Sequence, residues 1–315
     1  MGLLASSEAA LDCLGVTSQD AVAVVCNAEQ RTIAEALADA ARRRARSVML
    51  LEFVAMSRHG EEPPAEVAEA MVAADVVLAP TSMSLSLTEA RQAATRRGVR
   101  IATLPTITED IFVRTLPVDY DELRRASESV AARLTAASSA LVTSAAGTDI
   151  VLSLDGRTGR SDDGNLHAAG AFGNLPAGEG YIAPLETAGD GSIVIDGSLA
   201  GYGRLADPVH ITVRDGRAID ASGDAGRWLM ETLTAGGDHG RSIAELGIGT
   251  NPAAQLSGNV LEDEKAIGTA HLAFGASQGI GGATTASVHI DGVMLDVRVD
   301  LDDEALLDDG YLNLA

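Results

Sequence analysis

The sequence is poor in basic residues, cysteines and aromatic side chains. The first two deficits each exclude a class of protein. Lysine and arginine together number 23 against 45 acidic residues, which gives a formal net charge of −22. Such a surface repels nucleic acid and anionic membranes, so we expect neither as a partner. The two cysteines, Cys13 and Cys26, are too few for a disulfide framework or a structural zinc site.

Long hydrophobic runs are also missing from the sequence. No stretch approaches the roughly 20 apolar residues of a membrane span, and no basic segment followed by an apolar one opens the chain as in a signal peptide. These features predict a cytoplasmic protein. Hydrophobic residues still make up 46% of the 315 residues, whereas aromatic residues make up only 3%. The chain can therefore bury a sizeable core, built from Ala, Val, Leu and Ile.

The first 138 residues alternate between short apolar runs and Ala-rich segments with helical spacing. This alternation predicts a Rossmann-like α/β domain, residues 1–138, with a parallel sheet wrapped by helices. No GxGxxG motif follows the first strand, so the chemistry of dinucleotide binding is not supported. The Ser/Thr-rich segment 81–88 (TSMSLSLT) follows the third strand, and it predicts either a ligand-binding loop or a cap for the next helix. The pattern places strands at 21–26, 47–54, 75–79 and 99–104, and helices at 29–46, 64–74, 87–97 and 119–137.

Beyond residue 138, glycines become dense and alternating Val/Ile patterns replace Ala-rich helix. Asp-Gly pairs punctuate this region, as expected for strands joined by tight turns. The change predicts a second, β-rich α+β domain, residues 139–315, and the residues described next make it the metal-binding catalytic domain. Strands are predicted at 150–156, 192–200, 208–221 and 286–301, and helices at 224–235 and within 260–268.

Candidate metal ligands lie in this second domain. His289 and Asp291 are two residues apart in VHIDG, so on a strand they face the same side and could bind one divalent ion. His271, in the apolar stretch GTAHLAFG, must find a polar partner if it is buried. Glu179 in NLPAGEGYIAP and Glu245 in IAELGIGTNP have no basic residue nearby, so each must be solvated, protonated or metal-bound.

Three carboxylates and two histidines can hold one or two divalent ions. Mixed oxygen and nitrogen ligation without thiolate suits Zn, Mn, Co or Fe(II). Two ions sharing a carboxylate would activate water for hydrolysis, whereas one Fe(II) on two histidines and a carboxylate would suit oxygen activation. The acidic run LEDEK, residues 261–265, is typical of a helix start, although it lies between Glu245 and His271.

Four motifs, NLPAGEGYIAP, ELGIGTNP, GNVLEDEKAIGTAHLAFG and VHIDG, occur in this order and resemble the metallo-aminopeptidases of the aminopeptidase T and aminopeptidase S type. The resemblance implies a homodimeric hydrolase that removes N-terminal residues from peptides or small amides with Zn, Co, Mn or Mg. A carboxylate must then move a proton to the leaving amine, and Glu179 and Glu245 are the catalytic candidates, with Glu245 the bridge between the ions if the family pattern holds. The implied ligands of the dinuclear metal site are Glu179, Glu245, His271, His289 and Asp291.

The sequence departs from these peptidases at one position near the metals. The peptidases carry a tyrosine several residues after the GTAH histidine, where this chain has Gln278. We therefore predict that Tyr181 and Gln278 contact the substrate and supply the missing hydrogen bond. Two alternatives stay open. The same scaffold resembles a mononuclear non-haem Fe(II) enzyme that opens the ring of 2,5-dihydroxypyridine, and the chain could also be a non-catalytic binding protein that kept the fold.

Overall fold

The computed structural model describes residues 2–187 and 189–314. The helices are α1 Leu3–Cys13, α2 Arg31–Arg42, α3 Ala65–Ala73, α4 Glu89–Arg96, α5 Glu109–Thr115, α6 Tyr120–Ala136, α7 Gly223–Ala235 and α8 Val260–Asp263. The strands are β1 Ala21–Cys26, β2 Ser47–Glu52, β3 Val76–Thr81, β4 Arg100–Pro105, β5 Ser139–Ser144, β6 Asp149–Ser153, β7 Arg160–Asp162, β8 Phe172–Asn174, β9 Glu179–Ile182, β10 Gly191–Ile195, β11 Ser198–Leu199, β12 Gly203–Arg204, β13 Val209–Arg214, β14 Arg217–Ala221, β15 Ile243–Gly249, β16 Ala270–Gly275, β17 His289–Met294, β18 Val297–Leu301, β19 Glu304–Asp308 and β20 Tyr311–Leu312.

The chain divides into two compact units. The first consists of the residues up to Tyr120 together with Gly164–Ala177. It contains a parallel sheet of order β2–β1–β3–β4–β8. Strands β1 and β3 are buried along almost their whole length, as expected where helices cover both faces of a parallel sheet. The predicted N-terminal α/β domain with a parallel sheet is thus confirmed.

The last strand of this sheet comes from a distant part of the chain. Strand β8 pairs in parallel with β4, with Phe172 opposite Ile101. The guanidinium of Arg91 lies 4.2 Å from the ring centre of Phe172, and Thr103 Oγ1 donates a 2.6 Å hydrogen bond to Asn174 Oδ1. A strand of three residues carries no periodic signal, so local sequence patterns do not assign this segment to the first unit.

The second unit begins earlier than the predicted boundary at residue 138. Helix α6 belongs to this unit, because Val130 and Leu134 are fully buried in its hydrophobic core. Gly180 on β9 allows this packing, since a Cβ there would lie 2.5 Å from a methyl group of Val130. The observed units are therefore interleaved along the chain, whereas the prediction placed a single boundary after the helix.

The Ser/Thr-rich segment after β3 serves mainly to start helix α4. The Thr88 side chain accepts a hydrogen bond from the backbone N–H of Arg91, which is the geometry of an N-cap. Ser82, at the other end of the segment, lines an open cleft of about 530 Å³ together with Gln30 and Thr106. The cleft lies beyond the carboxyl ends of β1, β3 and β4, where ligands bind in open α/β sheets.

The second unit contains two antiparallel sheets that share one hydrophobic core. Their orders are β14–β13–β10–β6–β5–β18–β19–β20 and β12–β11–β17–β16–β15–β9–β7. Buried residues of both sheets, such as Ile193 and Leu272, join residues of α6 and α7 in this core. The predicted β-rich α+β region is thus confirmed. Within the described residues, no helix is long and apolar enough to cross a bilayer.

Candidate metal centre

The five predicted ligands lie on one face of the second antiparallel sheet. Strands β9, β15, β16 and β17 are neighbours there, and successive side chains alternate between its two faces. One face points into the shared core and carries Ile182, Leu246, Ile248, Leu272, Phe274 and Ile290. The other face carries Glu179, Glu245, His271, His289 and Asp291. A pattern of polar residues between core residues thus brings together side chains that are far apart in the sequence.

A β-bulge places Glu245 on the polar face. Ile243 lies in the hydrophobic core and pairs with Phe274, whereas Glu245 pairs with Ala273. The register shift between these pairs leaves Ala244 as the extra residue. With strict alternation from Ile243, the Glu245 carboxylate would point into the apolar core. The bulge is therefore the local feature that delivers this carboxylate to the site.

A glycine on β15 makes room for the ring of His271. Gly247 pairs with His271 on one side and with Tyr181 on the other. A Cβ at Gly247 would lie 2.2 Å from both Cε1 and Nε2 of His271, which is far inside contact distance. The imidazole thus occupies the space that a side chain at Gly247 would fill, with its Nε2 atom near two carboxylates.

Each histidine Nε2 atom in the cluster lies within 3.2–3.4 Å of two carboxylate oxygens. His271 Nε2 lies 3.3 Å from Glu179 Oε2 and 3.4 Å from Glu245 Oε1. His289 Nε2 lies 3.2 Å from Glu245 Oε2 and 3.2 Å from Asp291 Oδ1. The other ring nitrogen of His289, Nδ1, donates a 2.7 Å hydrogen bond to the Ala276 carbonyl. That bond leaves Nε2 free to bind a metal, as in most metal-ligating histidines.

These separations fit ligands of a metal ion better than hydrogen-bonded ion pairs. Charge-assisted N–H···O bonds are usually about 2.7–2.9 Å long, whereas two tetrahedral ligands with bonds of 2.0–2.1 Å stand about 3.3 Å apart. Among the described residues, Glu179 Oε2 is buried and has no hydrogen-bond partner, although it faces His271. The cluster thus has the donor set and the spacing of a divalent metal site, as the sequence predicted.

Within the described residues, the ligand atoms fall into three overlapping groups, each with one histidine and two carboxylates. The groups are Glu179, Glu245 and His271; Glu245, His289 and Asp291; and Glu264, His271 and Asp291. Glu245 belongs to the first two, and its oxygens face different histidines. A carboxylate placed in this way can bridge two ions.

The acidic run that the sequence suggested to be a helix start does form α8, and it also extends the site. The Asp263 carboxylate accepts hydrogen bonds from the backbone of Ser257 and Gly258 and from the Ser198 hydroxyl. This anchor fixes the turn that follows, so that Glu264 and Lys265 are buried beside the metal ligands. Sequence reasoning missed these two residues because charged runs usually lie at the surface.

The two histidines and the carboxylates between them perturb one another strongly. Burial by itself would lower the pKa of His271, but the hydrogen bond to Glu245 and the charges of nearby carboxylates raise it to about 9. Burial also opposes protonation of His289, yet Asp291 and Glu245 raise its pKa well above the usual value. Burial would raise the pKa of Glu245, whereas its hydrogen bonds to both histidines bring it below the usual range. The carboxylates thus favour positive charge at this position. When no metal is bound, protons on His271 and His289 provide that charge.

The buried cluster has more carboxylates than cationic side chains. In the part of the chain that the structure describes, the cluster contains five carboxylates and one lysine: Asp162, Glu179, Glu245, Glu264, Asp291 and Lys265. When all are ionised, four negative charges remain. Burial raises the pKa of Asp162 to about 7 and that of Glu264 to about 8, in spite of the nearby Lys265 ammonium. Divalent cations would relieve this crowding of negative charge.

The two predicted substrate-binding residues occupy different environments. Tyr181 lies on β9 two residues after Glu179, on the same face of the sheet. Burial and the neighbouring carboxylates raise the pKa of the Tyr181 hydroxyl, so it stays a protonated donor. Gln278 is exposed in the loop that follows β16, where its backbone N–H donates to the Thr284 carbonyl. The structure therefore brings Tyr181 to the metal ligands and places Gln278 at the surface.

Replacement of Gly247 by alanine is expected to weaken metal binding without unfolding the protein. The new Cβ would displace the His271 ring, which belongs to two of the three ligand groups. We expect a loss of at least about 10- to 100-fold in Zn²⁺ affinity, on the scale seen when ligand orientation is disturbed, measured by titration with a chromophoric competitor. Gly279→Ala is the matched control, since its Cβ would have nothing within 4 Å. Equal affinity in both variants would contradict the expected displacement.

The fold and the site together define a metalloprotein with a carboxylate–histidine centre on an antiparallel sheet. The model of the family described as NicX, 2,5-dihydroxypyridine 5,6-dioxygenase, matches residues 3–314, and the chain belongs to this family. Aminopeptidase PepS from Streptococcus thermophilus is 30% identical over 147 residues, which is 44% of this chain and 35% of PepS. The match thus covers about a third of that relative's length.

Solved structures show the same fold at low sequence identity. The structure of 2,5-dihydroxypyridine dioxygenase from Pseudomonas putida KT2440 has a TM-score of 0.82 at 20% identity, covering 99% of this chain and 96% of that one. Wild-type AmpT from Thermus thermophilus has a TM-score of 0.72 at 19% identity, covering 98% of each chain. The predicted resemblance to the metallo-aminopeptidases is confirmed by PepS and AmpT, and the dioxygenase structure superposes with the higher TM-score of the two solved structures.

Proposed function

We propose that this protein is a dinuclear metal-dependent hydrolase that cleaves the N-terminal residue from peptides or small amides. The observation that carries the proposal is the position of Glu245. Its two carboxylate oxygens face two different histidines, each of which has a further carboxylate beside it. This arrangement would hold two ions with one bridging ligand. The likeness to aminopeptidase PepS supports the same reaction class.

A pair of divalent ions would supply a water of lowered pKa and would polarise the substrate carbonyl. The residues around the pair would bind and orient the substrate. The Tyr181 hydroxyl, protonated and on the face of the ligands, would donate a hydrogen bond to the carbonyl oxygen as it gains charge. It would thereby replace the tyrosine that the related peptidases carry after the GTAH motif.

Proton transfer to the leaving amine needs a carboxylate that is not itself a metal ligand. The sequence suggested Glu179 or Glu245 for this role. Both oxygens of Glu245 face histidines, and Glu179 Oε2 faces His271. Glu264 is buried, and one of its carboxylate oxygens lies within 4.8 Å of ligand atoms of His271 and Asp291. Its Oε1 accepts a hydrogen bond from Lys265. We therefore assign Glu179 and Glu245 to metal binding, and we assign the transferred proton to Glu264 Oε2.

A second candidate is a mononuclear Fe(II) dioxygenase that opens the ring of a hydroxypyridine. The match of the family model to residues 3–314 favours it. Such enzymes need two histidines and one carboxylate on the same ion. His271, His289 and Asp291 would supply them, but His271 and His289 fall into different ligand groups in this structure. The site geometry therefore favours the hydrolase.

Metal analysis and two assays separate the candidates. The protein is purified without added metal, and its metal content is measured by mass spectrometry. It is then loaded with Zn²⁺, Co²⁺, Mn²⁺ or Mg²⁺ and incubated with leucine p-nitroanilide and a panel of dipeptides. In parallel, protein loaded anaerobically with Fe(II) is mixed with 2,5-dihydroxypyridine, and oxygen consumption is recorded.

Two zinc-type ions per chain with amide cleavage would support the hydrolase. One iron per chain with oxygen consumption, and no cleavage of any amide, would overturn it in favour of the dioxygenase. A protein that holds no metal and turns over neither substrate class would contradict both proposals and favour a binding protein that kept the fold.

A further inference from the structure

Lys265 is a fully buried cation in the centre of the candidate site. Its side chain is 2% exposed. The Nζ atom donates hydrogen bonds of 2.6 Å to Glu179 Oε1 and 2.8 Å to Glu264 Oε1, and it lies 3.6 Å from Asp162 Oδ2. Of the three N–H donors of the ammonium group, two are used by Glu179 and Glu264, and the third can point toward the Asp162 carboxylate, with which Lys265 forms an ion pair. Lys265 thus faces the metal ligands and has no access to solvent.

Lys265 donates a hydrogen bond to one oxygen of each of two carboxylates and leaves the other oxygen of each available. Glu179 gives Oε1 to the ammonium group, and its Oε2 faces His271 without a hydrogen bond. Glu264 likewise gives Oε1 to Lys265. A carboxylate with one oxygen bound to an ammonium group has only its second oxygen free for a metal. Without Lys265, each glutamate could offer both oxygens to the same ion.

We propose that Lys265 is a positioning residue that restricts Glu179 to one free oxygen and holds Glu264 Oε1 away from the ions, so that bound ions would have few protein ligands. An ion with few protein ligands retains open positions for water and substrate, which a catalytic site requires. This inference rests on the metal site of the proposed function and is independent of which reaction the site performs.

A purely structural lysine would behave differently on removal. If Lys265 only stabilised the fold, its loss would lower stability and leave metal ligation unchanged or weaker. A positioning lysine leaves extra negative charge and extra ligand oxygens behind. Coulomb attraction to a divalent ion then increases, and the ion gains ligands. The two roles thus predict opposite changes in metal affinity.

The test replaces Lys265 by methionine, which has a similar length and no charge. The variant is folded with Co²⁺ present, stripped by chelation and titrated with Co²⁺ while the visible absorption is recorded. We expect at least about tenfold tighter binding and a several-fold weaker visible band per ion than in the wild type, because higher-coordinate Co²⁺ absorbs less. Any amide turnover should fall in kcat, with KM changing less.

Two further variants keep the proposal falsifiable. Arg100→Met removes a different, largely buried ion pair with Asp20 in the first unit and should lower stability while the Co²⁺ spectrum stays as in the wild type. Lys265→Arg keeps the charge and the donors, and it should restore the wild-type band intensity even if the methionine variant does not fold. A wild-type Co²⁺ spectrum in folded K265M, or a weakened visible band in K265R, would overturn the proposal. Failure of amide cleavage alone would count only against the proposed function.

Discussion

Replacement of Glu245 by glutamine is expected to abolish paired metal binding and to reduce turnover by about 10²- to 10³-fold or more, the loss typical for removing a single essential stabilising group. The amide keeps the shape of the side chain but removes the negative charge that faces both histidines. Two ions about one bridging ligand would then repel each other without a shared counter-charge. We expect the metal content of E245Q to fall from two ions per chain to one or fewer, measured by mass spectrometry.

The control for this experiment is Glu231→Gln on helix α7. It makes the same chemical change at an exposed position of the same unit, so it should retain metal content and activity. Circular dichroism of both variants shows whether the fold is kept. An E245Q protein that folds, binds two ions and turns over normally would show that Glu245 does not bridge. The hydrolase proposal would then lose the observation on which it stands.

The ligands themselves could be predicted because most of them are charged or polar residues within apolar segments of the sequence. Glu179 and Glu245 are charges in apolar, Gly-rich motifs, and His271 lies in a run that is buried throughout. A buried charge without a partner is unfavourable, so each residue indicated a partner elsewhere in the chain. The pair His289 and Asp291 needed only the two-residue period of a strand. None of these arguments required knowledge of which strands are neighbours.

The remaining features of the site depend on contacts between distant segments. The bulge at Ala244 is established only when β15 is paired with β16, because the three-residue spacing from Ile243 to Leu246 in IAELGIG does not by itself show which residue is the extra one. From the sequence alone, Glu264 and Lys265 resemble a solvated helix end. They are buried because the Asp263 carboxylate accepts a hydrogen bond from the hydroxyl of Ser198, which is 65 residues away. Asp162 lies in a turn-like SDDG segment and joins the cluster through β7 and β9. Local patterns report the chemistry of a residue, whereas tertiary pairing decides what it contacts.

Removal of divalent ions is expected to destabilise the second unit selectively. With no metal bound, the buried carboxylates of the site are balanced only by Lys265 and by protons, including those on His271 and His289. An ion that binds the folded state alone stabilises it by about 4 kcal/mol at a concentration 1,000 times its Kd. For a domain of this size that corresponds to a rise in Tm of roughly 10 °C. We therefore expect dipicolinate-treated protein to melt roughly 10 °C below the Zn²⁺-loaded form.

Hydrogen exchange shows where the lost stability resides. Amides of β15, β16 and β17 and of the turn at 257–266 should exchange faster in the metal-free protein, because these segments carry the ligands and the turn that holds Glu264 and Lys265. Strands β1, β3 and β4 carry no ligand and should exchange at the same rate with and without metal. The E245Q variant supplies an internal control, since its metal-dependent rise in Tm should shrink with the number of ions that it loses. Equal melting and equal exchange in both forms of the wild type would mean that the cluster holds its charge without ions, and the metal site would have to be abandoned.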